Sequence, residues 1–122
     1  MISFRPVNLG TDLSALARLA SVTERDPVTV EQVRRWWEPT EKGLRLTTLA
    51  IADEEYIVGM ADVERRSWQR PGLFRLDIVV EPAWRGRGIG RRLFSDALAA
   101  AQRRGAQEVE TSVRDNDPAS LA

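Results

Sequence analysis

Apolar residues mark out a succession of short strands and helices along the chain. Ile2, Phe4 and, after Arg5-Pro6, Val7 read as a first strand. From Asp12 to Ala20 the apolar positions recur at helical spacing. A second helix opens at Thr29, where Thr29 and Gln32 have the spacing of a capping box and Val30, Val33, Trp36 and Trp37 form an apolar stripe; Pro39 ends it. Leu44 to Ala52 and Tyr56 to Val63 are strand-like and flank the polar turn Asp53-Glu54-Glu55, which makes a hairpin. Arg65 to Gly72 is a loop by its Pro-Gly. Leu73 to Val80 is the most apolar strand, of the kind covered on both faces in mid-sheet. A helix follows from about Gly88 to Arg104, with Ile89, Leu93, Ala97 and Ala101 on one face and Gly105 as its C-cap. Glu108 to Val113 alternates as a last strand, and Asp117-Pro118 is placed to start another helix.

The predicted order is β-α-α-β-β-β-α-β-(α), with a strand–helix–strand crossover over 73–113. The fold class is therefore α/β (α+β): a mixed, mostly antiparallel sheet. With 122 residues, one domain over 1–122 buries about two-thirds of the surface its unfolded chain exposes.

Composition narrows the chemistry. The chain has no cysteine and no histidine, which excludes thiol nucleophiles, disulfides, the usual zinc sites and a Ser-His-Asp triad. No metal is expected. Eighteen basic residues balance eighteen acidic ones, so no overall field favours nucleic acid or an anionic membrane. No apolar run reaches membrane-span length, and the start lacks a signal-peptide pattern, so a cytoplasmic location is expected. Lys42 is the only lysine, so the positive charge rests on arginine, the better partner for bidentate phosphate contacts.

Arg85-Gly86-Arg87-Gly88-Ile89-Gly90 lies between a strand and a helix. The first N–H groups of a helix lack intrahelical acceptors, and the helix dipole makes that end partly positive. Glycines let a phosphate approach those donors, and Arg85, Arg87, Arg91 and Arg92 can add charge-assisted contacts. The competing reading is a permissive turn with a solvated basic face. The Rossmann spacing fails because Arg91 stands where its third glycine would be, and no Gly-Lys-Ser/Thr supports a P-loop.

Arg85-x-x-Gly88-x-Gly90 resembles the Q/R-x-x-G-x-G/A motif of the GNAT (GCN5-related N-acetyltransferase) superfamily. Val80-Glu81-Pro82 resembles the segment leading into it, and 114–120 resembles its Asn- and Ala-bearing loop. The resemblance spans the element order of the whole chain and implies an acyl-CoA N-acyltransferase-like fold with helices on both faces of the sheet. It implies an acetyl-CoA-dependent N-acetyltransferase that moves acetyl to a primary amine, on a small molecule or a protein, by direct attack. It also allows a homodimer. Arg85 to Gly90 would hold the pyrophosphate and Arg91 or Arg92 the adenosine phosphate. Backbone groups of Ile78, Val79 and Val80 would pair with the pantetheine arm, and Asn116 would hydrogen-bond that arm or order its loop. The N–H of Val80 would polarise the thioester carbonyl. Family members continue past the position of Ala122 to a tyrosine acid and two further strands, so the chain is expected to be C-terminally incomplete. A non-catalytic CoA-binding module is the alternative function.

A general base must be sought among carboxylates. Asp77 is an acid inside an apolar strand, sharing a face with Arg75, Val79 and Glu81. It is either a base acting through water or a structural partner of an arginine such as Arg75. Glu81 and Glu110 are lesser candidates. Of Trp36 and Trp37 at least one is expected in the core, with the other open to contact an acceptor. Trp84 is expected to pack under the glycine-rich turn, Trp68 to sit exposed in its loop, and Arg65-Arg66 to be a solvated strand end.

Overall fold

The computed structural model describes residues 2–22, 27–37, 44–53, 55–65 and 72–114. Strands β1 (Ile2–Pro6), β2 (Leu44–Ala52), β3 (Tyr56–Arg65), β4 (Leu73–Val80) and β5 (Glu108–Arg114) form one sheet in chain order. Neighbours are antiparallel up to β4, and β4 and β5 are parallel. A parallel pair needs a long crossover, which α3 (Ile89–Arg103) supplies. The helices α1 (Leu13–Ser21) and α2 (Val30–Trp36) precede β2, and a single 3₁₀ turn, Pro82–Trp84, links β4 to α3. The expected mixed, mostly antiparallel sheet is thus found. The strand read as ending at Val63 runs on to Arg65, and the helix expected from Gly88 starts at Ile89 with Gly88 as its N-cap. Asn116, Trp68, Pro39 and the helix expected from Asp117 lie outside the described residues.

Alternation along the strands sorts side chains onto two cores. Phe74, Leu76, Ile78 and Val80 of β4 pack with Val58, Ala61 and Val63 of β3 against Ile89, Leu93, Ala97 and Ala101 of α3. On the opposite face Leu49, Met60 and Val79 pack against Leu16, Leu19 and Ala20 of α1 and Val33 of α2. Helices therefore cover both faces. Burying each large aliphatic side chain contributes roughly 1.5–3 kcal/mol, so both clusters, more than any hydrogen bond, hold the layers together. α3 comes close to β3 at Gly59, where a Cβ would sit 3.0 Å from the Val79 carbonyl and 3.2 Å from Leu93.

Local chemistry fixes the ends. The capping box at α2 is complete: the Gln32 N–H donates to Thr29 Oγ1 and the Thr29 N–H donates to Gln32 Oε1. α3 ends with Gly105 at φ 86° and the paired bonds Ala106 N–H to Ala101 and Gly105 N–H to Gln102, a Schellman motif. β1 is tied to α1 by Asp12, which is buried and accepts both Arg5 guanidinium nitrogens at 2.8 and 2.9 Å and the Asn8 N–H at 2.7 Å.

That bidentate pair holds the Asp12 carboxyl below its ordinary 3.8, the Arg5 hydrogen bond being the largest cause. A lowered carboxylate pKa contributes stability that is complete above the unfolded value and lost as pH falls through the folded one. Asp12→Asn is expected to cost about 2 kcal/mol at neutral pH. Denaturant midpoints from pH 7 down to pH 2 check it: the wild-type advantage should shrink below pH 4. An advantage that persists unchanged in acid would show that the charge is irrelevant.

Candidate active site

The face of the sheet under α1 and α2 changes character row by row. Where the helices cover it, the register aligns Leu49, Met60 and Val79 across β2, β3 and β4. The next row is Thr47, Asp62, Asp77 and Ser112 across β2 to β5. Beyond it come Arg45, Glu64, Arg75 and Glu110, in alternating charge. The polar rows floor a cavity of about 210 Å³ lined by Trp36, Trp37, Asp62, Asp77, Val79 and Ser112, with Ala20, Arg45, Met60, Arg75 and Ile78. Trp37 is buried and Trp36 is 44% exposed, so one indole belongs to the core and the other forms an open wall.

Asp62 is the most enclosed charge of this site, at 1% exposure. The Trp37 indole N–H donates to Thr47 Oγ1 at 2.8 Å, and the Thr47 hydroxyl donates to Asp62 Oδ1 at 2.8 Å. Arg45 lies across the Trp37 ring, 3.8 Å from its centroid, with Nη2 2.6 Å from Asp62 Oδ2. That contact is a close charge pair outside hydrogen-bonding alignment, because Oδ2 has no directed donor. Burial raises the Asp62 pKa; Arg45 and Thr47 oppose that rise, and Glu64 adds to it. Asp77 is less enclosed. It pairs with Arg75 Nε at 3.3 Å, so the structural pairing weighed for it is present, and it lines the cavity as well. Sequence reasoning missed Asp62. The signal was the one that singled out Asp77: a carboxylate inside an apolar strand, here Ile57 to Val63.

At the other end of β4 the chain passes through the 3₁₀ turn into the glycine-rich segment. Gly86 and Gly88 take φ of 78° and 83°, in the left-handed region, and nothing lies within 4 Å of a Cβ added at Gly88. The N–H groups of Ile89, Gly90 and Arg91 lie in the first helical turn, where no intrahelical acceptor reaches them. Ile89 itself points into the core, so only its backbone is available. Arg85 Nε donates to the Val80 carbonyl at 3.0 Å, and Arg87 covers the Trp84 ring at 4.7 Å. Trp84 packs against the α3-side core. Arg92 lies over Phe4 and on Asp96, and both it and Arg91 are exposed.

The edge of β4 expected to receive a pantetheine arm is taken by β5, with Ile78 opposite Val113 and Val79 opposite Arg114. Glu81 donates its N–H to the Val58 carbonyl on the β3 side. By alternation the Val80 N–H points to the β5 edge, one residue past the last rung of that ladder, Val79–Arg114. Glu81 does not reach the cavity. It accepts from Tyr56 Oη at 2.8 Å and pairs with Arg18 at 3.1 Å, which also donates to the Ile57 carbonyl. Glu110 is exposed on β5. Among the described residues no group of three or more acidic, histidine or cysteine side chains is placed to hold a metal ion, and no helix is long and apolar enough to cross a membrane.

Comparison with known proteins places this mixed sheet, with its glycine-rich strand-to-helix turn and its carboxylate-lined cavity. The sequence pattern of the acetyltransferase (GNAT) family matches residues 13–122, and the chain belongs to that family. No curated protein matches it by sequence. Among solved structures, an N-acetyltransferase from Staphylococcus aureus Mu50 superposes with a TM-score of 0.78 at 17% identity, covering 99% of this chain and 78% of that one. A transcriptional regulator from Bacillus halodurans C-125 superposes at 0.69 with 24% identity, covering 99% and 87%. The aminoglycoside N-acetyltransferase AAC(6')-Iy, solved in complex with CoA, superposes at 0.72 with 18% identity, covering 99% and 82%. At these identities the likeness is one of fold.

Gly88 and Gly105 make a matched pair for testing the cradle, since both have positive φ and open space around an added Cβ. Alanine at either is expected to cost about 1 kcal/mol, a few degrees in melting temperature. Only Gly88→Ala should also weaken binding of inorganic pyrophosphate by calorimetry. Equal pyrophosphate affinity in the two variants would remove the turn as an anion site.

Proposed function

We propose that the chain transfers the acetyl group of acetyl-CoA to a primary amine, of a small molecule or a protein, by direct attack in a ternary complex. The observation that carries this reading is the juxtaposition along β4. The glycine-rich anion cradle follows its C-terminal end, and a cavity with two carboxylates lies over its middle. Family membership and the CoA held by a structural neighbour support acetyl-CoA as co-substrate.

Each residue's task follows from its position. Backbone donors from Gly86 to Gly90 receive the pyrophosphate, Arg87 sits at the rim of the cradle, and the exposed Arg91 meets the adenosine phosphate. The pantetheine arm pairs with β4 at Ile78 and Val79 once the last rungs of the β4–β5 ladder open, which also turns the Val80 N–H over to the thioester oxygen. The amine enters over Trp36 and meets the carboxylates of the polar row, Asp77 being the more accessible. An ammonium near pKa 10 must lose its proton before its nitrogen can attack, and a cavity carboxylate receives that proton. The C–N bond then forms, the C–S bond breaks, and the second nitrogen proton goes to the leaving sulfur, so CoA departs as the thiol.

Acetyl-CoA at 100 times its dissociation constant should stabilise the chain by roughly 2.7 kcal/mol in a thermal-shift assay. An amine panel followed by release of free CoA thiol then reads turnover. Stabilisation without thiol release would make the chain a non-catalytic CoA-binding module. No stabilisation would overturn both readings.

A further inference from the structure

Two carboxylates directly opposite on antiparallel strands repel each other, with their Cβ atoms about 5 Å apart. Asp62 and Asp77 are such a pair. Arg45 flanks one and Arg75 the other, so each has its own cation. The two environments differ sharply. Asp77 is nearly a third exposed and joined to a half-exposed arginine, whereas Asp62, at 1% exposure, lines the back of the same cavity. A buried charge pair contributes little net stability, since desolvation costs several kcal/mol per ion and an apolar replacement is often neutral or better. The Trp37–Thr47–Asp62 chain therefore calls for a reason other than stability. It also has a direction. Trp37 satisfies the Thr47 oxygen, the single Thr47 hydroxyl proton is committed to Oδ1, and Oδ2 is left without a directed donor.

We propose that Asp62, not Asp77, takes the proton from the acceptor ammonium, while Asp77 seats that ammonium beside Arg75 at the cavity mouth. This deepens the acetyl-transfer reading and rests on it. In the step, one N–H bond of the ammonium breaks and an O–H bond forms on Asp62 Oδ2. The freed nitrogen lone pair attacks the thioester carbon, the C–S bond breaks, and the second nitrogen proton passes to the departing sulfur, so that CoA leaves as the thiol. Asp62 ends as a carboxyl and returns its proton to solvent after product leaves. Among the described residues the charges facing it are Arg45 of β2, Glu64 of its own strand, and Asp77 and the diagonal Arg75 of β4; Trp37, the residue after α2, is neutral. Burial outweighs Arg45 here and raises the carboxyl, which brings it closer to the operating pH. Thr47 is a positioning residue that acts through Asp62.

Two measurements test this on the full chain. The first is kinetic, with any amine the wild type acetylates. Asp62→Asn should lower kcat/KM by about 100-fold or more at neutral pH and abolish the acidic limb of its pH profile. Asp77→Asn should raise the KM for the amine, leave kcat nearly unchanged and keep the limb. Thr47→Val should move the limb to higher pH, because the anion loses a donor, and Thr47→Ser should restore it; this pair serves if Asp62→Asn does not fold. A limb that survives in folded Asp62→Asn and vanishes in Asp77→Asn would overturn the assignment. The second is independent of turnover: ¹³C NMR of labelled aspartate carboxyls, with Asp62 assigned as the resonance that moves in Thr47→Val. It should titrate above 3.8 and shift on addition of amine, even if no acetylation is seen. An Asp62 resonance that titrates normally and ignores the amine sinks the proposal, whereas failure of acetyl-CoA to bind sinks only the acetyl-transfer reading.

Discussion

Successive side chains of a strand point to opposite faces, and in β4 that constraint divides the molecule into a part that folds and a part that acts. Phe74, Leu76, Ile78 and Val80 are spent on α3 and the larger core. Val79 closes the smaller core beneath α1, while Arg75 and Asp77 line the cavity. The same parity fixes the backbone: because Glu81 donates toward β3, Val80 donates toward β5. Everything placed at the site, from the cradle after Val80 to the cavity over Asp77, is referred to this one strand.

The electrostatics of the floor follow from how far the helices extend. α1 and α2 cover the Leu49–Met60–Val79 row, and Trp37 reaches over to Thr47 and Arg45. Past that indole the register places charges in alternation, Arg45 beside Glu64 and Glu64 beside Arg75. Opposite signs on adjacent strands offset one another along that row. Asp62 is the exception in degree. It lies on the covered side of this boundary, where water no longer screens it.

Much of this was legible in the sequence, because the strongest signals are local. The 89-93-97-101 repeat of α3, the Thr29–Gln32 capping box and the glycines of the cradle each state their structure within a few residues. What was not legible depends on pairing across the sheet. Asp62 and Asp77 carry the same local signal, an acid inside an apolar strand, and neither strand alone says which is enclosed. Nothing local says that Asp62 faces Asp77, since that requires the β3–β4 register. Likewise Glu81 looked like a candidate acid until folding brought Arg18 and Tyr56, from α1 and the start of β3, against it. The closure of the β4 edge by β5 is also a register property, invisible to motif reading.

The row Thr47–Asp62–Asp77–Ser112 has one more consequence, for how the sheet finds its alignment. Shifting any one of these strands by a single residue turns its side chains to the opposite face. For β3 such a slip would drive Asp62 into the packed interior under α3, among Leu76, Ile78 and Leu93, with no cation there to meet it. Apolar strands alone tolerate misalignment, since one aliphatic contact resembles another. A line of polar groups across four strands does not, and so the residues that make the cavity chemically useful also make the wrong sheets expensive.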